Sequence, residues 1–173
     1  MVILRPTQKL RKMLPVNDAA TPESDTALGD WYVNRIVVDR RPLLLLVSSK
    51  GLFPLLVPAR DVSSLPSRLP DLLETALRRL SVPEELIVAE CKAMELVVVA
   101  PTRDRSVLGI MVDCAKSIPY HLAPGQWSDD TLPLVEHMLA RTPWFAGKRA
   151  DEVLFPLQAM PELLAARWGR CVA

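Results

Sequence analysis

The spacing of apolar positions changes period along this chain. Residues 31–39, WYVNRIVVD, are rich in β-branched and aromatic side chains and predict a strand. Arg40, Arg41 and Pro42 predict a turn. Residues 43–48, LLLLVS, predict a second strand, too continuously apolar for one wet face. Ser49, Lys50 and Gly51 predict another turn, and residues 52–57, LFPLLV, a third strand. Pro54 cannot donate to a ladder, which places that strand at an edge or on a bulge. The short turns make the three strands an antiparallel meander. Val2 to Leu4 predicts a further short strand, ended by Pro6.

After Pro58 the pattern becomes helical. Residues 70–80 place Leu72, Leu73, Ala76, Leu77 and Leu80 on one side. Ser81, with Glu84 three residues on and Pro83 between, reads as a capping box opening a helix that runs to about Met94. Residues 96–100, LVVVA, predict a central strand. Helices follow at 106–117, after a cap at Asp129 or Asp130, and at 161–168 before Gly169. Leu10, Met13 and Leu14 share one face of a basic segment before a polar loop at 16–26. The expected fold class is α+β: a small, mostly antiparallel sheet of four or five strands covered by helices on one face. A doubly wound sheet fits less well, because strands and helices are grouped rather than alternating.

The 173-residue length fits a single domain, with residues 145–173 as a divergent helical extension of it. Half the residues are hydrophobic and the net charge is +1, so disorder is excluded and no whole-molecule field points to a partner. Cys91, Cys114 and Cys171 are far apart and odd in number, which argues for buried thiols rather than disulfides or a metal knuckle. Nothing at the N-terminus resembles a signal peptide, and no apolar run is long enough to span a bilayer. A cytoplasmic location without membrane contact is the expectation.

Chemistry is sparse. The phosphate-cradling glycine motifs and the GxSxG elbow are missing. His121 and His137 have no second ligand at metal spacing, so no metal and no cofactor are expected. Two stretches concentrate charge. Residues 1–16 carry Arg5, Lys9, Arg11 and Lys12 without an acid. Together with Arg40 and Arg41 these make a nucleic-acid surface an open alternative. Residues 101–109, PTRDRSVLG, join a strand to a helix, and Thr102, Arg103, Arg105 and Ser106 there suit an anion at a helix start. Facing Asp30, Trp31 and Asn34, they would form the best candidate site for a small anionic ligand or a protein partner. Strand alternation puts Trp31 and Asn34 on opposite faces unless a bulge intervenes. The resulting expectation is a non-enzymatic binding or interaction protein. The competing one is a small enzyme with a site near Arg103, Arg105 and His121.

Four blocks carry a resemblance: ILRPTQKL at 3–10, ALGDWYVNRIVVDRRPLLLLV at 27–47, LLVPARD at 55–61 and RDRSVLGIMVD at 103–113. In order and spacing they resemble an uncharacterised family of small bacterial proteins, a domain of unknown function numbered 6933. The resemblance spans roughly the first 140 residues and implies no activity. Relatives tend to carry small polar residues or Asn after the RSVLG block, where this chain has Ile110 and Val112.

Overall fold

Asp39 and Arg40 both adopt left-handed backbone, with φ of 48° and 64°. That is the conformation a two-residue hairpin turn requires, because its twist matches that of the strands it joins. In the structure, a computed structural model describing residues 1–17, 23–145 and 153–169, this turn links β2 (Trp31–Val38) to β3 (Arg41–Ser48). A second tight turn leads to β4 (Pro54–Pro58), completing the antiparallel meander at the edge of the sheet. The other half of the sheet departs from expectation. β1 (Val2–Pro6) pairs parallel to β2, and β5 (Val97–Val99) pairs parallel to β1. The order is β4-β3-β2-β1-β5, so the sheet is mixed rather than mostly antiparallel. Its parallel pairs join segments separated by long connections, which tight turns cannot provide. β5 lies at the edge, not the centre.

Helices cover both faces, not one. On one face Trp31, Val33, Leu44, Leu46 and Leu55 pack with α1 (Leu65–Arg79), α2 (Glu84–Ala93) and α5 (Pro156–Trp168). On the other, Tyr32, Leu43, Leu45, Val47 and Leu56 pack with α3 (Arg105–Ser117) and α4 (Leu132–Arg141). A small hairpin of β6 (Trp144–Phe145) and β7 (Val153–Leu154) precedes α5, which places Met160 and Leu164 in the first of these cores.

Several helix starts also differ. α1 and α5 begin five residues before Pro70 and Pro161, which lie inside them. The capping box at Ser81 does not form. Ser81 is left-handed (φ 56°) in the turn that closes α1, and Pro83 precedes α2. Ser128, not Asp129 or Asp130, forms a reciprocal cap with Thr131 before α4. The basic N-terminal segment is a 3-10 turn at Gln8–Leu10 that buries Leu10 and Leu14 and leaves Met13 exposed. Residues 18–22 of the loop, 146–152 and 170–173, Cys171 among them, lie outside the described residues.

Candidate functional site

Gly29 is left-handed (φ 74°), and a Cβ there would stand 2.5 Å from Ser49 Oγ. That hydroxyl is in place because it accepts the Asp30 backbone N–H at 2.8 Å. The turn therefore sets the Asp30 carboxylate at the start of β2, almost wholly buried. Arg5 Nε donates to Asp30 Oδ2 at 2.5 Å and Ser24 Oγ to Oδ1 at 2.6 Å. Arg103 Nη2 stands 3.4 Å from Oδ2. Arg5 Nη1 donates to the Pro101 carbonyl, while Arg5 Nη2 is buried without a partner. The Asp104 carboxylate accepts the Ser106 and Val107 amides, so the free donors at the start of α3 meet the chain's own acid. The Asp104 N–H in turn reaches Tyr32 Oη at 3.0 Å, and burial pushes that phenol above its ordinary pKa.

Of the residues expected to converge, Asp30 and Arg103 meet. Thr102 is half-buried beside them, and Arg105 and Ser106 are exposed on the first turn of α3. Trp31 points to the opposite face and is fully buried, with its Nε1 unpartnered. Asn34 Oδ1 accepts from Thr7 Oγ1 at 2.9 Å. His121 follows the far end of α3 and is separated from Arg103 and Arg105 by the helix length, about 20 Å. The arrangement ties β1, β2 and the β5–α3 loop together.

The basic residues divide. Arg5 is buried in the cluster just described. Arg11 is half-buried. Arg41 donates to the Trp127 carbonyl at 2.9 Å and to Asp129 at 2.7 Å, and its guanidinium lies 4.1 Å over the Trp127 ring. Arg40 and Arg41 line a recess beside Asp129 that shares no residue with Lys9 and Lys12.

Lys9 and Lys12 border a wide recess of about 790 Å³, an open groove running along the second half of β2. Its floor is Asn34 to Val37. Its far wall is α3, through Val112, Ala115 and Lys116. Val37 and Val112 are 61% and 49% exposed, so the groove has exposed apolar surface both on its floor and on its wall. Lys9, Lys12, Arg35 and Lys116 rim the groove and no carboxylate lines it. Asp113 stands 3.6 Å from Lys116, one helical turn back on α3. Lys9, Lys12 and Asn34 were visible in the sequence as separate signals. The contribution of α3 was not, because it depends on the packing of that helix across β2.

Two buried carboxylates also escaped sequence reasoning. Glu90 accepts from the Ala27 and Leu28 amides at 2.8 and 3.0 Å and from Trp168 Nε1 at 2.7 Å. Glu136 accepts from the Leu56 amide at 2.8 Å and Arg79 at 3.0 Å, beside a cavity of about 250 Å³ between α1 and α4. Burial raises both pKa values against these donors. Their signal was an acid on the apolar face of a helix: Glu90 beside Leu86 and Ile87, Glu136 beside Leu132 and Leu139. Burial also pushes the Cys91 and Cys114 thiols up to about 12, which keeps them protonated and unreactive. Among the described residues no group of three or more His, Cys, Asp or Glu side chains could hold a metal ion, and no helix is long and apolar enough to cross a membrane.

No curated protein and no solved structure matches the chain. A family model matches residues 3–159, from β1 into α5, and so takes in the buried cluster, the groove and both buried glutamates. On that match the chain belongs to the family described as a domain of unknown function, DUF6933.

Proposed function

We propose that this is a non-enzymatic binding protein whose working surface is the groove along β2. One observation carries the reading: exposed apolar surface at Val37 on the floor and Val112 on the α3 wall of the groove, rimmed by cations and open to solvent. Exposed apolar surface with a polar rim is the mark of an interaction site, and the sign of this rim selects an anionic partner. Catalysis has less support, since Arg103, Arg105 and His121 stand at opposite ends of α3. A small anion bound by Thr102, Arg103, Arg105 and Ser106 beside Asp30 is the second reading. Its specific support is the unpartnered Arg5 Nη2 behind them.

Amide NMR separates the two. Titration with poly-glutamate should shift Gln8–Lys12, Asn34–Val37 and Val112–Lys116, with the shifts fading as salt rises. The triple variant Lys9→Glu, Lys12→Glu, Lys116→Glu should lose them. Shifts with inorganic phosphate confined to residues 102–106 would favour the small-anion reading. No shift in the groove with poly-glutamate would remove the groove as the working surface.

A further inference from the structure

The backbone groups that the sheet turns outward decide what kind of partner the groove can take. The two-residue turn makes Val38 and Arg41 the closing hydrogen-bonded pair of the hairpin. Pairs then alternate, so Val38, Ile36 and Asn34 bond to β3, while Val37, Arg35 and Val33 turn their N–H and C=O groups away from it. The Thr7 N–H bonded to the Val33 carbonyl at 2.9 Å confirms the phase. It is also the last backbone bond along that side, because the chain turns off into the 3-10 segment after Pro6. Arg35 and Val37 therefore present strand donors and acceptors to the groove.

The other two edges of this sheet are blunted. On β4 the same alternation turns positions 54, 56 and 58 outward. Pro54 and Pro58 have no N–H, and the Leu56 N–H is taken by Glu136. β5 is a three-residue strand whose outer side receives the Asn17 N–H at the Val99 carbonyl. Exposed edges are normally blunted in this way. The β2 half-edge is left open and set between apolar and cationic walls.

We infer that the groove receives an extended acidic polypeptide segment, added to the sheet as a strand along Arg35 and Val37. This rests on the groove being the working surface. The main chain of such a segment matches the alternating groups of the edge. Its apolar side chains meet Ile36, Val112 and Ala115, and its carboxylates meet Lys9, Lys12 and Lys116. A single-stranded nucleic acid fits less well, because it needs aromatic rings for stacking and none lines the groove.

The test is hydrogen exchange read by NMR, with a short peptide of alternating Glu and Val as probe. Binding should slow exchange of the Arg35 and Val37 amides by at least about tenfold. The same peptide N-methylated at alternate residues should bind without that protection or not at all. Val37→Pro, which removes one outward donor, should weaken binding with the melting temperature checked alongside. The N-methylated peptide leaves the protein untouched, so the test survives even if that variant fails to fold. Poly-glutamate shifts at the lysines, with neither amide protected by the Glu–Val peptide, would overturn strand addition and leave the groove reading standing. Displacement of the peptide by oligo(dT) at lower concentration would replace it with nucleic acid. No groove shift with any probe would sink both proposals.

Discussion

Glu90 is sealed from water, yet all three of its hydrogen-bond partners are donors: two amides of the chain before β2 and the indole of α5. An acceptor is required there, and burial of its charge is the cost. Glu90→Ala would leave three buried donors without a partner, each costing about 1–3 kcal/mol and not fully additive. Glu90→Gln keeps one acceptor oxygen, so only part of the set is lost, and the buried charge is relieved as well. Urea denaturation should rank the proteins wild type, then Gln, then Ala in falling stability. An Ala variant as stable as wild type would mean the contacts are not made. Glu136 plays the corresponding part for β4, covering an amide that would otherwise be an exposed edge donor. Neither residue stands out in the sequence, because an acid on an apolar face has the same pattern whether it is buried or merely at a boundary. The Asp30–Arg103 contact was legible, since both flank element ends. Arg5, its strongest partner, read as a surface cation because its strand alternation was not extended past Leu4.

At the level of elements, strands were read more accurately than helix starts, and one assumption accounts for the largest errors. Proline is best tolerated in the first turn of a helix, so the sequence predicts helix starts at Pro70 and Pro161. Each helix holds an earlier proline, Pro66 in α1 and Pro156 in α5, that occupies the tolerated position. The interior proline then removes one helical hydrogen bond. In α5 the missing donor is the one that would serve the Leu157 carbonyl. Pro161→Ala should restore it and raise unfolding stability by about 1–3 kcal/mol, the helix-propensity gain less the added freedom of the unfolded chain. A lowered urea midpoint would show that the Pro161 ring packs too well to lose. The run Leu43 to Val47 did carry the signal for a sheet covered on both faces, since a strand with one wet face would alternate. Grouping the helices on one side overlooked it. The parallel strands were hidden for another reason: β1 and β5 are short, and nothing within a short strand encodes its direction.

For the whole molecule, acid and base limits should come from different groups. Glu90 and Glu136 have folded-state pKa values raised by burial. Such a group contributes stability that is fully present below its unfolded pKa and is lost as pH rises through the folded one. Asp39 is the opposite case. The Gly125 amide and Trp127 Nε1 both donate to its carboxylate and hold its pKa low, and Ser63 and Ser64 do the same for Asp61. Their contribution is present above the unfolded value and is lost as pH falls through the folded one. Between the two windows, within the ordinary carboxylate range itself, neither loss has set in. Stability should therefore peak in mild acid and decline on both sides. Urea melts across a pH series test this directly. Glu136→Gln should flatten the decline on the rising-pH side, which comes from ionising the buried glutamates. Asp39→Asn should flatten the decline toward strong acid, and Trp127 should report the wild-type transition by fluorescence, because protonation removes the charge of its indole's acceptor. A monotonic rise in stability from acid to neutral pH would mean that the partners of Glu90 and Glu136 outweigh their burial. The two carboxylates would then act as ordinary ion-pair and hydrogen-bond acceptors rather than as charges held against their solvation.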